Sequence, residues 1–168
     1  LAETERELTA LCDSYERGRI LREGLPCAIV GRPNVGKSTL LNALVGFDRA
    51  IVTDIAGTTR DTIEETVRIG PLCLRLQDTA GLRETADPVE KIGVRRAEQA
   101  AETAGLVLAV IDGSVPLTDE DGQALARAKA APKSVLVVNK CDKAGRLAVP
   151  EGFRYTVRIS AKHGEGLE

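Results

Sequence analysis

The sequence is poor in the residue types that build several common kinds of functional site. It has no methionine and no tryptophan, and aromatic residues make up 2% of its 168 residues. Platforms that stack the bases of single-stranded nucleic acids are built from aromatic side chains, so a surface of that kind is essentially excluded. The hydrophobic core must be built from leucine, valine, isoleucine and alanine instead.

Cysteine and histidine are too few and too scattered to form a metal site or a disulfide framework. The four cysteines, Cys12, Cys27, Cys73 and Cys141, form no CxxC pair, and the single histidine, His163, cannot complete a zinc site with ligand-like spacing. We therefore expect reduced thiols, as in a cytosolic protein. Cys27 and Cys73 alternate with apolar neighbours and are expected in the core.

Long apolar runs are also missing. No run approaches the roughly 20 residues that cross a bilayer, and the N-terminal segment LAETERELTALCDSYERGRI is charged and helical in pattern, unlike a signal peptide. A formal net charge of −2 argues against a generally basic surface for nucleic acids. Since the chain starts at Leu1 and has no methionine, we expect it to be a piece of a longer protein. From the missing apolar runs and the scattered cysteines, we expect that protein to be cytoplasmic and not to enter a membrane.

What the sequence does contain is an alternation of apolar strands and helical patterns. Predicted helices cover 37–46, 90–104 and a segment that Thr118 caps and that runs to about Ala131. Predicted strands cover 27–30, 62–70, 72–78, 106–112, 134–140 and 154–160, and the second and third of these form a hairpin. This alternation predicts an α/β fold with a mostly parallel six-stranded sheet and helices on both faces.

The N-terminal segment has a different pattern from the rest of the chain. Residues 1–22 carry apolar side chains near helical spacing, interleaved with charges, which indicates an amphipathic helix. We expect residues 1–23 to be a helical connector from an upstream domain, and an ordinary helix packed on this domain fits the pattern equally well. Residues 24–168 then form the main domain, and the chain stops where a final covering helix would begin.

The segment GRPNVGKS at 31–38 fits the pattern G-x-x-x-x-G-K-S between a predicted strand and a predicted helix. Its two glycines let backbone N–H groups turn towards phosphate oxygens, and the N-terminus of the helix adds positive partial charge. Lys37 supplies a cation for the β- and γ-phosphates, and Ser38 offers a hydroxyl to Mg²⁺. The predicted phosphate contacts are Asn34, Val35, Gly36, Lys37, Ser38 and Thr39. A glycine-rich turn without a ligand is the weaker alternative.

Two later motifs predict which base is bound. NKCD at 139–142 follows an apolar strand, and Asp142 can accept hydrogen bonds from both N1–H and the exocyclic amino group of guanine, a pair of donors that adenine lacks. Asn139 and the stem of Lys140 can brace the ring. SAK at 160–162 follows the next strand and is the expected second guanine contact, through the backbone N–H of Ala161 to O6. Its members are Ser160, Ala161 and Lys162.

Two loops between these motifs predict contacts to Mg²⁺ and the γ-phosphate. In DTAG, at 78–81, Asp78 would hold Mg²⁺ through water and the Gly81 N–H would sense the γ-phosphate. In GTTRD, at 57–61, Thr59 would supply a second hydroxyl to Mg²⁺. Each motif is weak alone, but five motifs in this order, each at a strand end, predict a GTP-hydrolysing domain.

The order GRPNVGKS, GTTRD, DTAG, NKCD, SAK resembles the G domain of translation-factor-class GTPases, and the longer runs at 31–67 and 78–97 resemble the MnmE (TrmE) tRNA-modification GTPases of the TrmE-Era-like class. The resemblance implies a Ras-like P-loop fold. It also implies a G domain inserted in a helical domain, dimerisation, and work with the flavoprotein MnmG on the wobble uridine of certain tRNAs. A ribosome-assembly GTPase of the Era or Der kind is the alternative on the same fold. A nucleotide-gated interaction module with little hydrolysis is the alternative from another class.

The residue after DTAG raises the question of how the attacking water is handled. Leu82 stands where small GTPases carry the glutamine that orients this water, and leucine cannot form the hydrogen bond. The resemblance assigns the role to Glu90, whereas spacing alone does not choose between Glu90 and Glu84. Lys37 and Gly81 complete the predicted catalytic set.

The resemblance further implies a K⁺ ion that neutralises charge between the β- and γ-phosphates while two G domains close face to face. Asn34 offers an uncharged side-chain oxygen to this ion, although a bond from Asn34 to the backbone of its own turn is an alternative. The other predicted ligand positions, in a loop that also covers the nucleotide, are Thr53, Ile55 and Thr58.

Overall fold

The computed structural model describes residues 4, 6, 14, 15, 18–47, 65–69, 72–76, 103–143, 145 and 147–167. Two helices and six strands are bounded within this part of the chain, and residues 18–23 are also helical. The helices are α1 (Lys37–Phe47) and α2 (Asp119–Ala130). The strands are β1 (Leu25–Val30), β2 (Glu65–Ile69), β3 (Leu72–Leu76), β4 (Leu106–Asp112), β5 (Ser134–Asn139) and β6 (Tyr155–Arg158).

The six strands form one sheet in the order β2-β3-β1-β4-β5-β6. Only the β2–β3 pair is antiparallel, and β1 pairs in parallel with both β3 and β4. The predicted mostly parallel six-stranded sheet with a hairpin is therefore confirmed. The chain passes from β1 to β2 and β3 on one side of β1, and from β3 it crosses to β4 on the other side. The carboxyl ends of β1 and β4 therefore form a topological switch point. Ligands of open α/β sheets bind at such points.

The alternation of side chains along β1 places a helix on each face of the sheet. Cys27 and Ile29 belong to one core cluster, which includes Leu40 and Leu41 of α1. The intervening Ala28 and Val30 belong to a second cluster, which includes Leu125 and Ala128 of α2. Successive side chains of a strand point to opposite faces, so the two clusters lie on opposite faces. The prediction of helices on both faces is confirmed.

Helix α2 begins as the sequence predicts. The hydroxyl of Thr118 accepts a hydrogen bond from the Asp121 N–H at 3.4 Å, and the Asp121 carboxylate accepts one from the Thr118 N–H at 3.0 Å. This reciprocal capping box satisfies two backbone donors at the helix start. The helix ends at Ala130. The predicted helix at 90–104 lies outside the described residues except for Thr103, which is helical, and Ala104.

The ends of three strands differ from the predictions. Strand β1 begins at Leu25, two residues before its predicted start at residue 27. Strand β5 stops at Asn139, one residue early, because Lys140 turns into the left-handed region with φ 63°. Strand β6 is four residues long, and all four residues are exposed. Its apolar members Tyr155 and Val157 are 57% and 41% exposed. They pair in register with Val135 and Val137 of β5, so β6 is an edge strand with little cover.

The cysteines divide by burial. Cys27 is fully buried in the core, as predicted, and burial raises the pKa of its thiol to about 12. Cys73 is only half-buried, so its prediction as a core residue is wrong: it pairs with Arg68 of the edge strand β2. Cys141 is exposed, and all three are free thiols. Cys12 lies outside the described residues. None of the described helices is long and apolar enough to cross a bilayer.

Candidate nucleotide-binding site

The loop between β1 and α1 has the backbone shape of a phosphate cradle. Within GRPNVGKS, the left-handed φ angles are 62° at Asn34 and 98° at Gly36. Asparagine tolerates this region better than most residues, and glycine adopts it without steric cost. Helix α1 starts directly after the loop, and the Leu40 N–H donates to the Gly36 carbonyl at 2.9 Å. The loop therefore ends at a helix N-terminus, where phosphate groups bind.

The lysine of the loop lies across it. Lys37 Nζ donates to the carbonyls of Gly31 and Arg32, each at 2.8 Å. Its ammonium therefore lies beside the start of the loop, close to where the motif brings phosphates. Ser38 and Thr39 follow in the first turn of α1 and are exposed. The contact of the Ser38 hydroxyl with Mg²⁺ stays a prediction.

Asn139, the first residue of NKCD, joins the phosphate loop to the SAK loop. It is the last residue of β5 and is 2% exposed. Its Nδ2 donates to the Val35 carbonyl at 2.9 Å, and its Oδ1 accepts from the Ala161 N–H at 3.0 Å. The side chain therefore braces two loops against each other, where the sequence predicted that it braces the base. The Ala161 N–H, predicted to contact guanine O6, would have to be shared between O6 and Asn139.

Lys140 makes a second link between NKCD and the phosphate loop. Its Nζ donates to the Asn34 carbonyl at 2.6 Å and to Asp112 Oδ2 at 2.6 Å. Asp112 Oδ1 accepts from the N–H and the hydroxyl of Ser114 at 2.9 and 2.5 Å. Burial alone would raise the pKa of Asp112, but the hydrogen bonds from Lys140 and Ser114 outweigh it and lower the pKa to about 2. Asp112 is therefore ionised at neutral pH.

Asp142, the predicted guanine-reading carboxylate, is aligned by the SAK loop. Ser160 donates its hydroxyl hydrogen to Asp142 Oδ1 at 2.6 Å, and this bond is the main reason that the pKa of Asp142 lies below its ordinary value. The Nε2 of His163 lies 3.7 Å from Asp142 Oδ2. Asp142 and Lys162 are both exposed. The carboxylate thus lies at the open edge of the site in its charged, accepting form.

Three residues of this neighbourhood belong to no predicted contact set. Asp112 is one, and the others are Arg32 and Asp121, which form a partly buried ion pair with both carboxylate oxygens 3.0–3.1 Å from Arg32 Nε. The Thr-x-x-Asp spacing identifies Asp121 as a capping residue, but nothing in the sequence indicates that it also reaches the phosphate loop. Asp112 ends an apolar strand at the edge where ligands bind, which is a weak signal.

Several predicted site residues cannot be placed. The predicted Mg²⁺, K⁺, γ-phosphate and water contacts of the two intervening loops lie outside the described residues, and their roles stay predictions. They are Thr53, Ile55, Thr58, Thr59, Asp78, Gly81, Glu84 and Glu90. Leu82 also lies outside the described residues. The described part of the chain has no cluster of three or more histidine, cysteine, aspartate or glutamate side chains that could hold a metal ion by itself.

Known proteins with this arrangement identify the family. A protein-family model described as "50S ribosome-binding GTPase" matches residues 26–140, which contain the phosphate loop and the start of NKCD. The chain belongs to this family of GTPases. It is therefore a GTP-hydrolysing domain with a P-loop fold.

Individual similar proteins point to one group of GTPases. The chain is 50% identical over 167 residues to the tRNA modification GTPase MnmE of Streptococcus gordonii, covering 99% of this chain and 36% of that protein. It is 54% identical over 164 residues to MnmE of Syntrophotalea carbinolica, with 96% of this chain and 36% of that protein covered. The resemblance to the MnmE family is confirmed, and the chain spans about a third of the length of these relatives.

Solved structures of Era share the fold. Era in complex with MgGDPNP and nucleotides 1506–1542 of 16S ribosomal RNA matches 84% of this chain and 52% of its own at TM-score 0.59 and 31% identity. A variant of Aquifex aeolicus Era bound to GDP and AlF4⁻ gives the same values. The fold class predicted from the sequence, an α/β P-loop GTPase, is confirmed.

The packing around Gly36 gives a test of the cradle. A Cβ at this position would lie 2.3 Å from Asn139 Nδ2, on a backbone with φ 98°. Gly36→Ala should therefore displace the Asn139 brace and strain the loop, at a cost on the order of 1–3 kcal/mol. We expect a lower melting temperature and GDP affinity reduced by about tenfold or more, measured by thermal unfolding and titration with a fluorescent GDP.

Gly46 provides the matched control. It lies in α1, and a Cβ added there would meet no atom within 4 Å. Gly46→Ala should keep GDP affinity and raise stability by up to about 1 kcal/mol, because alanine favours helix. If both variants bind GDP as the wild type does, the cradle does not depend on the Gly36–Asn139 contact.

Proposed function

We propose that this chain is the GTP-hydrolysing domain of an MnmE-type tRNA-modification GTPase. In this proposal it binds GTP with Mg²⁺ and K⁺ and couples GTP hydrolysis to conformational change. The observation that carries the proposal is the joining of the phosphate loop to NKCD and SAK through Asn139 and Lys140. These bonds join the three segments, and this supports the proposal that they form one guanine-nucleotide site. The identity of about half over nearly the whole chain to MnmE proteins supports the tRNA role.

Base choice rests on Asp142. Its carboxylate is exposed, charged and aligned by Ser160, and in this form it can accept hydrogen bonds only. Guanine presents two donors, N1–H and the exocyclic amino group, to a group of this kind. The binding residues of the proposed site are those predicted from the motifs, with Ser38, Thr59 and Asp78 at Mg²⁺.

Asp142→Asn should exchange an acceptor for a donor and transfer preference from GTP to XTP. Losing a charge-assisted pair costs on the order of 2–4 kcal/mol of GTP binding. The measurement is competition of GTP and XTP against a fluorescent GDP. Asp119→Asn, which alters an exposed carboxylate in the first turn of α2, serves as the control. A variant at 142 that still prefers GTP with wild-type affinity would refute the assignment.

We propose that Glu90 activates the attacking water, because Leu82 cannot orient it. The carboxylate would act through an intervening water, since direct contact with a triphosphate is repulsive. Lys37 and Gly81 would stabilise the phosphates as they separate. Glu84 is the competing candidate.

Glu90→Ala should lower turnover on the order of a hundredfold with GTP affinity nearly unchanged, because the group acts only in the transition state. Glu84→Ala is the matched comparison and should do much less. Single-turnover hydrolysis and equilibrium binding separate the two effects. Equal, mild losses in both variants would remove Glu90 from this role.

A monovalent cation is proposed to neutralise the charge that grows between the β- and γ-phosphates. Asn34 lies within the phosphate loop, has a left-handed backbone with φ 62°, and is exposed. Thr53, Ile55 and Thr58 are the other proposed K⁺ ligands. K⁺ would order that loop, and the ordered loops of two domains would then meet across their nucleotide faces.

In K⁺ with GDP and aluminium fluoride, the chain should elute as a dimer and hydrolyse GTP faster than in Na⁺, because Na⁺ is too small to reach all of these oxygens at once. Asn34→Ala should lose the K⁺ response, whereas Asn42→Ala, at an exposed position in α1, should retain it. Size-exclusion chromatography and single-turnover rates in matched salts measure both effects. Identical elution and rates in the two salts would contradict the cation proposal.

The wider partnership is proposed from the relatives. Their names support a role in tRNA modification. The family resemblance further suggests a cytoplasmic protein that acts with an MnmG-like flavoprotein, with residues 1–23 as the connector from a helical domain. An Era-like role in ribosome assembly is less well supported, because identity to Era is 31% and identity to MnmE is 50%. The full-length gene product should restore wobble-uridine modification in cells that lack MnmE and should not restore loss of Era.

A further inference from the structure

Asp112 is a buried carboxylate that belongs to none of the sequence motifs. It is the last residue of β4 and is 7% exposed. One of its oxygens is held by the N–H and hydroxyl of Ser114, at 2.9 and 2.5 Å. The other accepts a hydrogen bond from Lys140 Nζ at 2.6 Å. Both oxygens of Asp112 therefore have protein donors, which fixes the direction of the carboxylate.

The same ammonium also holds the phosphate loop. Lys140 Nζ donates to the Asn34 carbonyl at 2.6 Å, so it bridges the end of β4 and the middle of GRPNVGKS. Asn34 and Lys140 are the two non-glycine residues with left-handed φ in the described part of the chain, at 62° and 63°. Two unusual backbone turns are thus joined by one side chain.

A lysine needs such a partner to act as a brace. Its four-carbon stem is flexible, and its ammonium is strongly hydrated, so the side chain loses considerable rotamer entropy when it is held in one place. A single neutral carbonyl compensates little of that loss, whereas a hydrogen bond to a charged acceptor is about twice as strong. The carboxylate is already charged at neutral pH and lies at 2.6 Å.

We propose that Asp112 is a positioning residue for nucleotide binding, which holds the Lys140 ammonium against the phosphate loop and so preorganises the loop and NKCD together. This inference rests on the proposed function of the site as a guanine nucleotide site. Asp112 acts through Lys140 on the ring-bracing stem and the phosphate loop. It does not read the exocyclic groups of the base, which are left to Asp142.

The role predicts a distinctive pattern of affinities. Asp112→Asn removes the charge of the side chain and keeps its shape. The affinities for GDP and for IDP should therefore both fall by about tenfold or more. The ratio of GDP to IDP affinity should stay at the wild-type value, because the missing exocyclic amino group of IDP is read elsewhere. A change at Asp142 would alter that ratio. The loss should appear mainly in the dissociation rate, as is usual for variants of one site.

A buried ion pair with a merely structural role would give a different result, and a double-mutant cycle separates the two. Lys140→Met removes the ammonium and keeps the stem. If Asp112 acts through Lys140, Asp112→Asn should weaken GDP binding strongly in the wild type and hardly at all in the Lys140→Met background. A structural role would lower GDP affinity in both backgrounds. Asp119→Asn is the matched control and should leave GDP affinity unchanged.

The experiment uses the 168-residue chain with fluorescent GDP and IDP as probes, titrated to equilibrium and followed by stopped-flow dissociation. Thermal unfolding of each variant identifies any that fail to fold. Should Asp112→Asn be among them, Ser114→Ala removes one bond to the same carboxylate. It should weaken both nucleotides a few-fold, again only when Lys140 is present.

The possible outcomes separate failure of the inference from failure of the proposed function. Wild-type affinity in Asp112→Asn, additive losses in the double variant, or a changed GDP/IDP ratio would each overturn the positioning role while leaving the guanine site intact. A wild-type chain that binds neither nucleotide would instead overturn the proposed function. Equal losses for both nucleotides that vanish in the Lys140→Met background would establish the role.

Discussion

The two hydrogen bonds of the Asn139 side chain are the constraint on which the rest of the site depends. One amide group, almost wholly buried, binds the Val35 carbonyl of the phosphate loop and the Ala161 N–H of the SAK loop. A short amide with one donating and one accepting end can link a carbonyl and an N–H at once, and few other side chains can. Because the residue ends β5, the distance between the two loops is set by the sheet itself.

Near the Asn139 amide, side chains from other elements hold the phosphate loop at three of its residues. Asp121 binds Arg32, Lys140 binds the Asn34 carbonyl and Asn139 binds the Val35 carbonyl. All of these partners come from β5, α2 or the turn after β5, on the β4 side of β1. Bonds within the protein therefore order the loop. Ordering that is already in place does not have to be supplied by the ligand, which favours tight binding.

The strongest sequence signals were local ones. Continuous apolar runs predicted β4 and β5 almost to the residue, and the Thr118–Asp121 spacing predicted the start of α2. The phosphate loop and NKCD were placed correctly at strand ends, because their residue spacing has a direct chemical meaning. Both signals depend on neighbours in the chain, which a single sequence displays.

What the sequence did not reveal depends on contacts between distant segments. The Arg32–Asp121 pair joins residues 89 positions apart, and the Asn139–Val35 bond joins residues 104 apart. Asn139 was expected against the base because its motif suggests that contact, whereas the fold uses both ends of its amide between loops. Cys73 was expected in the core because its neighbours are apolar, but its strand pairs with an edge strand that gives it partial cover.

The edge strand β6 bears on how the sheet avoids the addition of a strand from another chain. An edge presents unpaired backbone donors and acceptors, to which another chain can add as a further strand. Here that edge is only four residues long and carries Arg158, and the guanidinium of the preceding Arg154 lies 5.3 Å from the ring of Tyr155. Short length and positive charge are the usual means by which soluble sheets prevent edge-to-edge aggregation. The backbone edge of β6, the strand nearest the guanine-reading loop, is therefore protected by its short length and its positive charge.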